Sequence, residues 1–246
     1  MIAFLVSVLL AGLLAGCGGG GDGGMAVGTV VQSDAPPAAG SSKGLDTAPR
    51  LKPDEDAALC TVEIYGDSIM ALNGTAESPV MTLQRIRPNL VFTDHSAQGM
   101  RLLDLASAFP WVTRSARFVI IENGVIDAWQ GASINAVINE YNAIIQRVRD
   151  EGRVPVLTGF SHQARGGPMG YGDLLRRDFY DSVVQAVAAN THTAFADWGS
   201  VPFYGAWDLL DFVHPNKNYS DRLVGRLAIT LDPLTTNCTN LLVPAG

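Results

Sequence analysis

The sequence predicts one α/β domain in which a mostly parallel, five-stranded sheet is covered by helices on both faces. Two observations indicate this fold class. From residue 57 onward, short apolar segments alternate with longer amphipathic ones, which is typical of a parallel sheet buried on both sides. The chain has 246 residues, of which 47% are hydrophobic. That is enough for one large domain and not clearly enough for two.

The predicted elements follow from length and periodicity. Short apolar runs are interpreted as buried strands, and they cover residues 60–65, 90–93, 117–122, 154–159 and 194–197. Helices are predicted where apolar side chains recur at i, i+3 and i+4. This spacing is clearest in residues 134–150 and 173–190, and shorter helices are predicted near residues 79–87, 101–109 and 218–231.

The N-terminal segment has the features of an export signal. Residues 1–16 are an apolar run that is too short for a membrane span and ends in small residues. Leu14, Ala15, Gly16 and Cys17 resemble the lipobox of bacterial lipoproteins, which implies that Cys17 becomes the lipidated first residue of the mature protein. The Lys or Arg that usually precedes the apolar run is missing, so a plain secretory signal with an incidental Cys is the alternative.

The segment after Cys17 is predicted to be a flexible linker. Residues 18–56 are rich in Gly, Ala, Pro and Ser and show no apolar periodicity, so they cannot bury enough surface to offset the entropy of ordering. We therefore expect residues 17–56 to tether a domain of residues 57–246 to a membrane of the bacterial cell envelope. Two glycine motifs, at residues 19–24 and 40–44, lack the flanking strand and helix that their functions require.

Cysteine usage and charge limit the partners. Export places Cys60 and Cys238 in an oxidising compartment, where a pair tends to form a disulfide; two free buried thiols are the alternative. Neither Cys lies in a zinc-like motif, so no metal is expected. The formal net charge of −7 argues against a non-specific nucleic-acid binder and against a polybasic membrane-surface protein. We expect a monomer.

Candidate catalytic residues follow the first strand and precede the last helix. In parallel sheets, ligands bind at the carboxyl ends of the strands. Ser68 comes just after the first strand, where its hydroxyl is exposed and its N–H can face an oxyanion; alternatively, it is only a helix N-cap. Asp211 and His214 are three residues apart, so they can meet on a turn and supply the base that a serine nucleophile needs.

These segments resemble the SGNH or GDSL hydrolase superfamily. The resemblance spans roughly residues 60–231 and keeps the order and strand context of the superfamily's sequence blocks. The matching residues are Gly66, Asp67 and Ser68 in the first block, Gly99 in the second, and Asp211, His214, Pro215 and Asn216 in the last.

The resemblance implies a fold and a chemistry. The fold is a flavodoxin-like, three-layer α/β/α sandwich, and the activity is ester hydrolysis without a cofactor. Ser68 would be the nucleophile, with Asp211 and His214 completing the triad. The backbone N–H groups of Ser68 and Gly99 would hold the oxyanion.

The third block departs from the superfamily pattern. There, an Asn side chain usually donates to the oxyanion, but Ile126 takes that position in this chain. Losing one such donor typically costs about 10²–10³ in turnover. Asn123 could supply the missing amide, or the N–H groups of Ser68 and Gly99 could suffice for a slow enzyme. A degenerate domain that binds without turnover is the third alternative.

Substrate contacts are predicted from two side chains near strand ends. Trp129 could be a platform for a sugar or an acyl chain, and His162 follows the fourth strand. A tether at the envelope favours short-chain, acetyl-type esters of carbohydrate or envelope components as substrates. An O-acetyltransferase, in which a sugar hydroxyl replaces water, and a tethered carbohydrate- or lipid-binding module are the alternatives.

Overall fold

The central sheet of the computed structural model is entirely parallel. It contains β1 (Thr61–Tyr65), β2 (Val91–Asp94), β3 (Phe118–Ile121), β4 (Val154–Thr158) and β5 (Ala194–Ala196). Their order across the sheet is β2-β1-β3-β4-β5, which is the flavodoxin-like order. The chain runs outward from β1 to β2 and then returns to form β3. The switch in direction therefore lies between the carboxyl ends of β1 and β3.

Seven helices cover the sheet within the described part of the chain. They are α1 (Ser68–Ala71), α2 (Pro79–Ile86), α3 (Leu102–Ala108), α4 (Val125–Trp129), α5 (Ile134–Asp150), α6 (Tyr171–Asn190) and α7 (Lys217–Leu231). The predicted strands and longer helices are confirmed within one or two residues at each end. The short helices α1 and α4, on either side of the switch point, were not predicted as separate elements.

The period-2 alternation of the strands divides the core into two layers. In β3, Phe118 and Ile120 pack on one face, with α2 and α7. Val119 and Ile121 pack on the other face, with α3, α5 and α6. Because successive strand side chains point to opposite faces, a wholly apolar strand such as β3 must be covered on both sides. The predicted three-layer α/β/α architecture is confirmed.

A disulfide joins the two ends of the domain. Cys60 and Cys238 are bonded; their Cα atoms lie 5.6 Å apart, and the two residues are 178 positions apart in sequence. Both cysteines are buried against the α7 side of the core. The predicted disulfide is confirmed, and the alternative of two free thiols is wrong.

The structure describes residues 59–238. The predicted signal peptide, Cys17, the linker of residues 17–56 and the final residues 239–246 lie outside the described residues. Among residues 59–238, none of the helices combines the length and the apolar character needed to cross a membrane. In the same range, no group of three His, Cys, Asp or Glu side chains is arranged to hold a metal ion.

Candidate active site

The turn after β1 places Ser68 at the start of a helix. The Asp67 side chain is the N-cap of α1, and its Oδ1 accepts the backbone N–H of Ile69 at 2.8 Å. Ser68 is therefore the first helical residue and leaves the capping to Asp67, so the N-cap interpretation of Ser68 is wrong. A Cβ on Gly66 would lie 2.8 Å from Glu122 Oε2 and 2.9 Å from Ser96 Oγ, so only glycine fits this turn.

Ser68, His214 and Asp211 form a continuous hydrogen-bonded chain. The Ser68 Oγ lies 2.9 Å from His214 Nε2. On the other side of the ring, His214 Nδ1 lies 2.9 Å from Asp211 Oδ1 and 2.8 Å from Asp211 Oδ2. This geometry lets the carboxylate fix the imidazole tautomer that leaves Nε2 free to accept the serine proton. The structure thus brings together the three predicted triad residues, which are separated by up to 146 positions.

The electrostatics of Asp211 favour the ionised carboxylate. Partial burial raises the pKa of Asp211, but the backbone N–H and ring of His214, together with the Val213 N–H, outweigh burial and lower that pKa overall. The backbone bonds are short: Oδ1 accepts the His214 N–H at 2.9 Å and the Val213 N–H at 3.2 Å. An ionised Asp211 can stabilise the imidazolium that forms when His214 takes a proton.

The loop that carries Asp211 and His214 is held in an uncommon conformation. Phe212 has φ of 69°, a left-handed backbone that non-glycine residues rarely adopt. Its carbonyl accepts the Ala164 N–H at 2.9 Å. Its ring lies so close to Gly166 that a Cβ there would overlap it. The segment that contains Ala164 and Gly166 therefore holds Phe212, the residue next to the acid of the triad, in place.

Asn216 explains the end of the last sequence block. Its Oδ1 accepts the Tyr219 N–H at 3.1 Å and so caps α7. Its Nδ2 donates to the carbonyl of Trp207 at 2.8 Å. One side chain thus fixes both the helix that follows His214 and the turn that precedes Asp211.

A buried carboxyl pair lies beneath the nucleophile turn. The Asp67 N–H donates to Glu122 Oε2 at 2.9 Å, and both side chains are buried. Burial, together with the neighbouring carboxyl of the pair, raises the pKa of Glu122 well above its ordinary value. Burial and the charge of Asp127 raise the pKa of Asp67 to about 7. Glu122 was not predicted as a site residue; the available signal was a Glu directly after a wholly apolar strand.

The segment that corresponds to the third block, residues 122–127, positions the loop that precedes α3. Ile126 lies in α4 and packs against the α5 side of the core. Asp127 is buried and accepts the Leu102 and Leu103 N–H groups at the start of α3, at 2.7 and 3.3 Å. Asn123 is fully buried, and its Nδ2 donates to the Met100 carbonyl at 2.9 Å. Because the Asn123 side chain has no exposed surface, an oxyanion contact by Asn123 would require that side chain to move.

Two backbone donors remain free near the nucleophile. Within residues 59–238, no hydrogen bond is made by the N–H of Ser68 or by that of Gly99. The Ser68 N–H is free because the first residues of a helix have no acceptor in the preceding turn. The chain just after Gly99 is held by two hydrogen bonds, from Asn123 Nδ2 to the Met100 carbonyl and from the Leu102 N–H to Asp127 Oδ2. Both N–H groups are therefore unpaired in the described chain, and their role as oxyanion donors stays a prediction.

A cleft of about 450 Å³ opens beside the triad. Its lining is mostly apolar and consists of Ser68, Trp129, Gln130, Pro168, Met169, Asp173, Val213 and His214. Trp129, which was predicted to contact the substrate, is thus part of the cleft lining. His162 does not line this cleft: its Nε2 lies 2.8 Å from the Gly199 carbonyl, and its ring stacks on Phe203 at 5.3 Å.

Comparisons with known proteins identify relatives by structure. No protein-family model matches the chain, and no curated protein matches it. The crystal structure of TesA is similar, with a TM-score of 0.59, 25% identity, and coverage of 71% of this chain and 99% of that one. The psychrotrophic esterase EstA from Pseudoalteromonas sp. has a TM-score of 0.60 and 16% identity, over 72% of this chain and 99% of that one.

A third relative carries the motif name in its own description. A GDSL-like lipase from Bacteroides thetaiotaomicron VPI-5482 has a TM-score of 0.58 and 15% identity, over 74% of this chain and 95% of that one. At that identity, the likeness concerns the fold. The fold, the blocks in their order and the hydrogen-bonded Ser68–His214–Asp211 chain agree with one another. The protein belongs to the SGNH/GDSL superfamily of serine ester hydrolases.

Proposed function

We propose that the protein hydrolyses short-chain esters, above all acetyl esters of carbohydrate or cell-envelope components, with Ser68 as the nucleophile. The observation that carries this proposal is the chain of contacts from Ser68 Oγ through His214 to Asp211, with distances of 2.9 and 2.8 Å. It lies at the switch point of the sheet, where ligands of such folds bind.

The proposed reaction has two steps. His214 Nε2 takes the Ser68 proton as Oγ attacks the ester carbonyl carbon, and it then gives that proton to the leaving alcohol as the C–O bond breaks. Water, activated by the same imidazole, attacks the acyl-serine, releases the carboxylic acid and restores the Ser68 hydroxyl. The N–H groups of Ser68 and Gly99 hold the negative oxygen in both steps.

A modest turnover is expected, because Ile126 has no hydrogen-bond donor. An oxyanion hole with one donor fewer is typically about 10²–10³ times slower. The two backbone N–H groups are nevertheless fixed by their loops, so the site keeps part of the usual stabilisation. This is why we favour a working enzyme over a degenerate binding domain.

The cleft supports a small acyl group and an uncharged alcohol. Trp129, Pro168, Met169 and Val213 supply apolar surface next to Ser68, while Gln130 and Asp173 supply the polar part of the lining. The carboxylate of Asp173 would disfavour an anionic leaving group. With the proposed lipid anchor at Cys17, these features favour neutral esters at the cell envelope, handled by a monomer held at a membrane.

The test is hydrolysis of p-nitrophenyl acetate, butyrate and octanoate by the purified protein and by Ser68→Ala. The control is Ser182→Ala, an exposed serine on α6. We expect Ser68→Ala to lose more than about a thousandfold in kcat/KM, Ser182→Ala to be unchanged, and acetate to be the best acyl group. Equal background rates in all three proteins would contradict the proposal.

The alternatives give different outcomes in two further assays. A fluorophosphonate probe that labels Ser68 in a protein without turnover would indicate the degenerate binding domain. Acyl release that rises when a sugar acceptor is added, with the acyl group recovered on the sugar, would indicate an O-acetyltransferase.

A further inference from the structure

The turn before the catalytic loop exposes several large apolar side chains. Trp207 is 90% exposed and Tyr204 is 68% exposed, followed in the chain by the exposed Leu210 and Phe212. Soluble domains seldom expose such side chains together unless the surface binds something. The side chains of Tyr204, Trp207 and Leu210 take no part in the chemistry described above.

The turn is fixed, so the exposure is not the result of a loose loop. Asn216 Nδ2 donates to the Trp207 carbonyl at 2.8 Å, and the Asn216 N–H donates to the Asp208 carbonyl at 2.8 Å. The Tyr204 N–H donates to Asp208 Oδ2 at 2.6 Å. The Arg222 guanidinium lies 5.1 Å from the centre of the Tyr204 ring and pairs with Asp208. Two aromatic side chains are thus held in place on a rigid support.

The turn that carries the exposed side chains is joined directly to the catalytic loop. Phe212 sits between Asp211 and His214, and its ring packs on Gly166, two residues before Pro168 in the cleft lining. Asn216, which holds Trp207, follows His214 by two positions. A ligand lying on Tyr204 and Trp207 would therefore pass beside the triad.

The charges around the surface favour a neutral ligand. Arg222 is paired with Asp208, and Lys217 is paired with Glu77 and Asp221. Asp211 adds a carboxylate that is largely exposed. Arg222 and Lys217 are therefore both neutralised by carboxylates and offer little to a phosphate headgroup or a polyanion, which the Asp211 carboxylate would also repel.

We propose that Tyr204 and Trp207 form a subsite that binds the sugar chain bearing the ester, and that its ligand is a neutral polysaccharide. Indole and phenol rings have an apolar face and a polar edge, which suits a pyranose ring with C–H groups on its face and hydroxyls at its rim. This inference rests on the proposed esterase function and adds to it a choice of substrate class.

The test compares a polymeric and a small ester in matched tryptophan variants. Trp207→Ala removes the proposed platform, and the control Trp111→Ala removes a tryptophan that is 86% exposed at the opposite edge of the sheet. Acetate release from chemically acetylated xylan and hydrolysis of p-nitrophenyl acetate are measured for each. We expect Trp207→Ala to lower kcat/KM on acetylated xylan, relative to kcat/KM on p-nitrophenyl acetate, by about tenfold. This is the upper range for one aromatic contact. The loss should come mainly through KM on the polymer.

Three outcomes would overturn the subsite. The first is an unchanged ratio in Trp207→Ala, and the second is an equal drop on both esters. The third is a wild-type protein that binds phosphatidylcholine vesicles, or self-associates, through Trp207 and leaves the polysaccharide unbound. If the wild type hydrolyses neither ester, the proposed function fails. Quenching of tryptophan fluorescence by unmodified xylan, lost in Trp207→Ala and kept in Trp111→Ala, then tests the subsite alone.

Discussion

Glu63 and Glu122 are both buried beside β3, at opposite ends of that strand, but they differ in the number of hydrogen-bond donors around them. Glu63 is 4% exposed and accepts the Ser115 and Ala116 N–H groups at 2.8 and 3.1 Å, just before β3 begins. It also accepts the Tyr65 hydroxyl at 3.2 Å. Glu122, 2% exposed, follows β3; it accepts one backbone N–H and lies next to Asp67.

The pKa values of the two carboxyl groups are consequently shifted in opposite directions. Burial by itself would raise the pKa of Glu63, but its backbone donors and the Tyr65 hydroxyl outweigh burial and lower that pKa. At Glu122, burial and the Asp67 carboxyl act in the same direction and raise the pKa. The number of donors decides which form is stable, because a buried charge requires hydrogen bonds to compensate for its lost hydration.

The same contrast extends to the two edges of the sheet. At the amino edge, Arg114 donates to Glu151 and to the Phe109 carbonyl, and the disulfide joins the two ends of the described domain. At the carboxyl edge, Asp67 Oδ2, Ser96 Oγ and Asn123 Oδ1 are buried without a partner in the described chain. Such groups cost stability. The amino edge thus serves stability, while the carboxyl edge gives up stability to place the nucleophile.

Removing the disulfide should have the largest effect on stability. The pair Cys60→Ala and Cys238→Ala is expected to lower the free energy of unfolding by about 2–5 kcal/mol, because the unfolded chain gains entropy. The kcat/KM for p-nitrophenyl acetate should stay the same while the protein is folded. Urea unfolding and initial rates measure the two quantities. A drop in kcat/KM with an unchanged unfolding midpoint would contradict the assignment of stability to the amino edge and of catalysis to the carboxyl edge.

Glu63→Gln should have the next largest effect and lower the free energy of unfolding by about 1–3 kcal/mol at neutral pH. The reason is that charged hydrogen bonds are lost and an amide NH₂ faces backbone donors. A lowered folded-state pKa contributes stability above the unfolded pKa of about 4.3, and that stability is lost as pH falls through the folded-state pKa. The difference in the free energy of unfolding between wild type and Glu63→Gln should therefore become smaller in acid. Urea titrations across the acidic range test this, and a gap that is constant with pH would show that Glu63 is not ionised in the fold.

The contrast between the edges also explains what the sequence could predict. The strands, the longer helices and the Ser68, Asp211 and His214 triad follow from local periodicity and from short blocks, so they were predicted within a residue or two. Glu122 and Asp127 were not predicted, because their partners are distant in sequence: the Asp67 N–H follows β1, and the Leu102 N–H begins α3. Asn123 was expected at the oxyanion, but a carbonyl 23 positions away holds its amide.

Glu122→Gln should have a smaller effect, with the opposite dependence on pH. A Gln oxygen can still accept the Asp67 N–H, so the change in unfolding free energy should stay below about 1 kcal/mol in mild acid. A raised folded-state pKa contributes stability below the unfolded pKa, and that stability is lost as pH rises towards the folded-state pKa. Wild type should therefore weaken with rising pH relative to Glu122→Gln.

Urea unfolding at about pH 5, just above the ordinary glutamate pKa of about 4.3, and at about pH 8 measures this trend. Glu122→Ala is the companion variant: it removes the acceptor of the Asp67 N–H, so kcat should fall while Glu122→Gln keeps it. A Gln variant that is destabilised equally at both pH values would mean that Glu122 is charged in the fold, and the contrast with Glu63 would fail.

The smallest expected effect comes from the backbone. His192 and Phe212 are the non-glycine residues with positive φ in the described chain, at 51° and 69°. His192 lies in the exposed turn between α6 and β5, at the amino edge, whereas Phe212 lies in the catalytic loop. His192→Gly should raise the free energy of unfolding by about 0.5–1 kcal/mol, because relief of the left-handed backbone exceeds the entropy cost of glycine.

Phe212→Gly relieves the same kind of backbone strain but also removes the ring that packs on Gly166. It should therefore loosen the residues on either side, Asp211 and His214, and lower kcat. Thermal unfolding and p-nitrophenyl acetate kinetics of both variants separate the two cases. A Phe212→Gly protein that is more stable and equally active would show that strain in this loop does nothing for the triad. Backbone strain would then lower stability at both edges of the sheet without serving catalysis at either one. That result would contradict the contrast between a stabilising amino edge and a catalytic carboxyl edge.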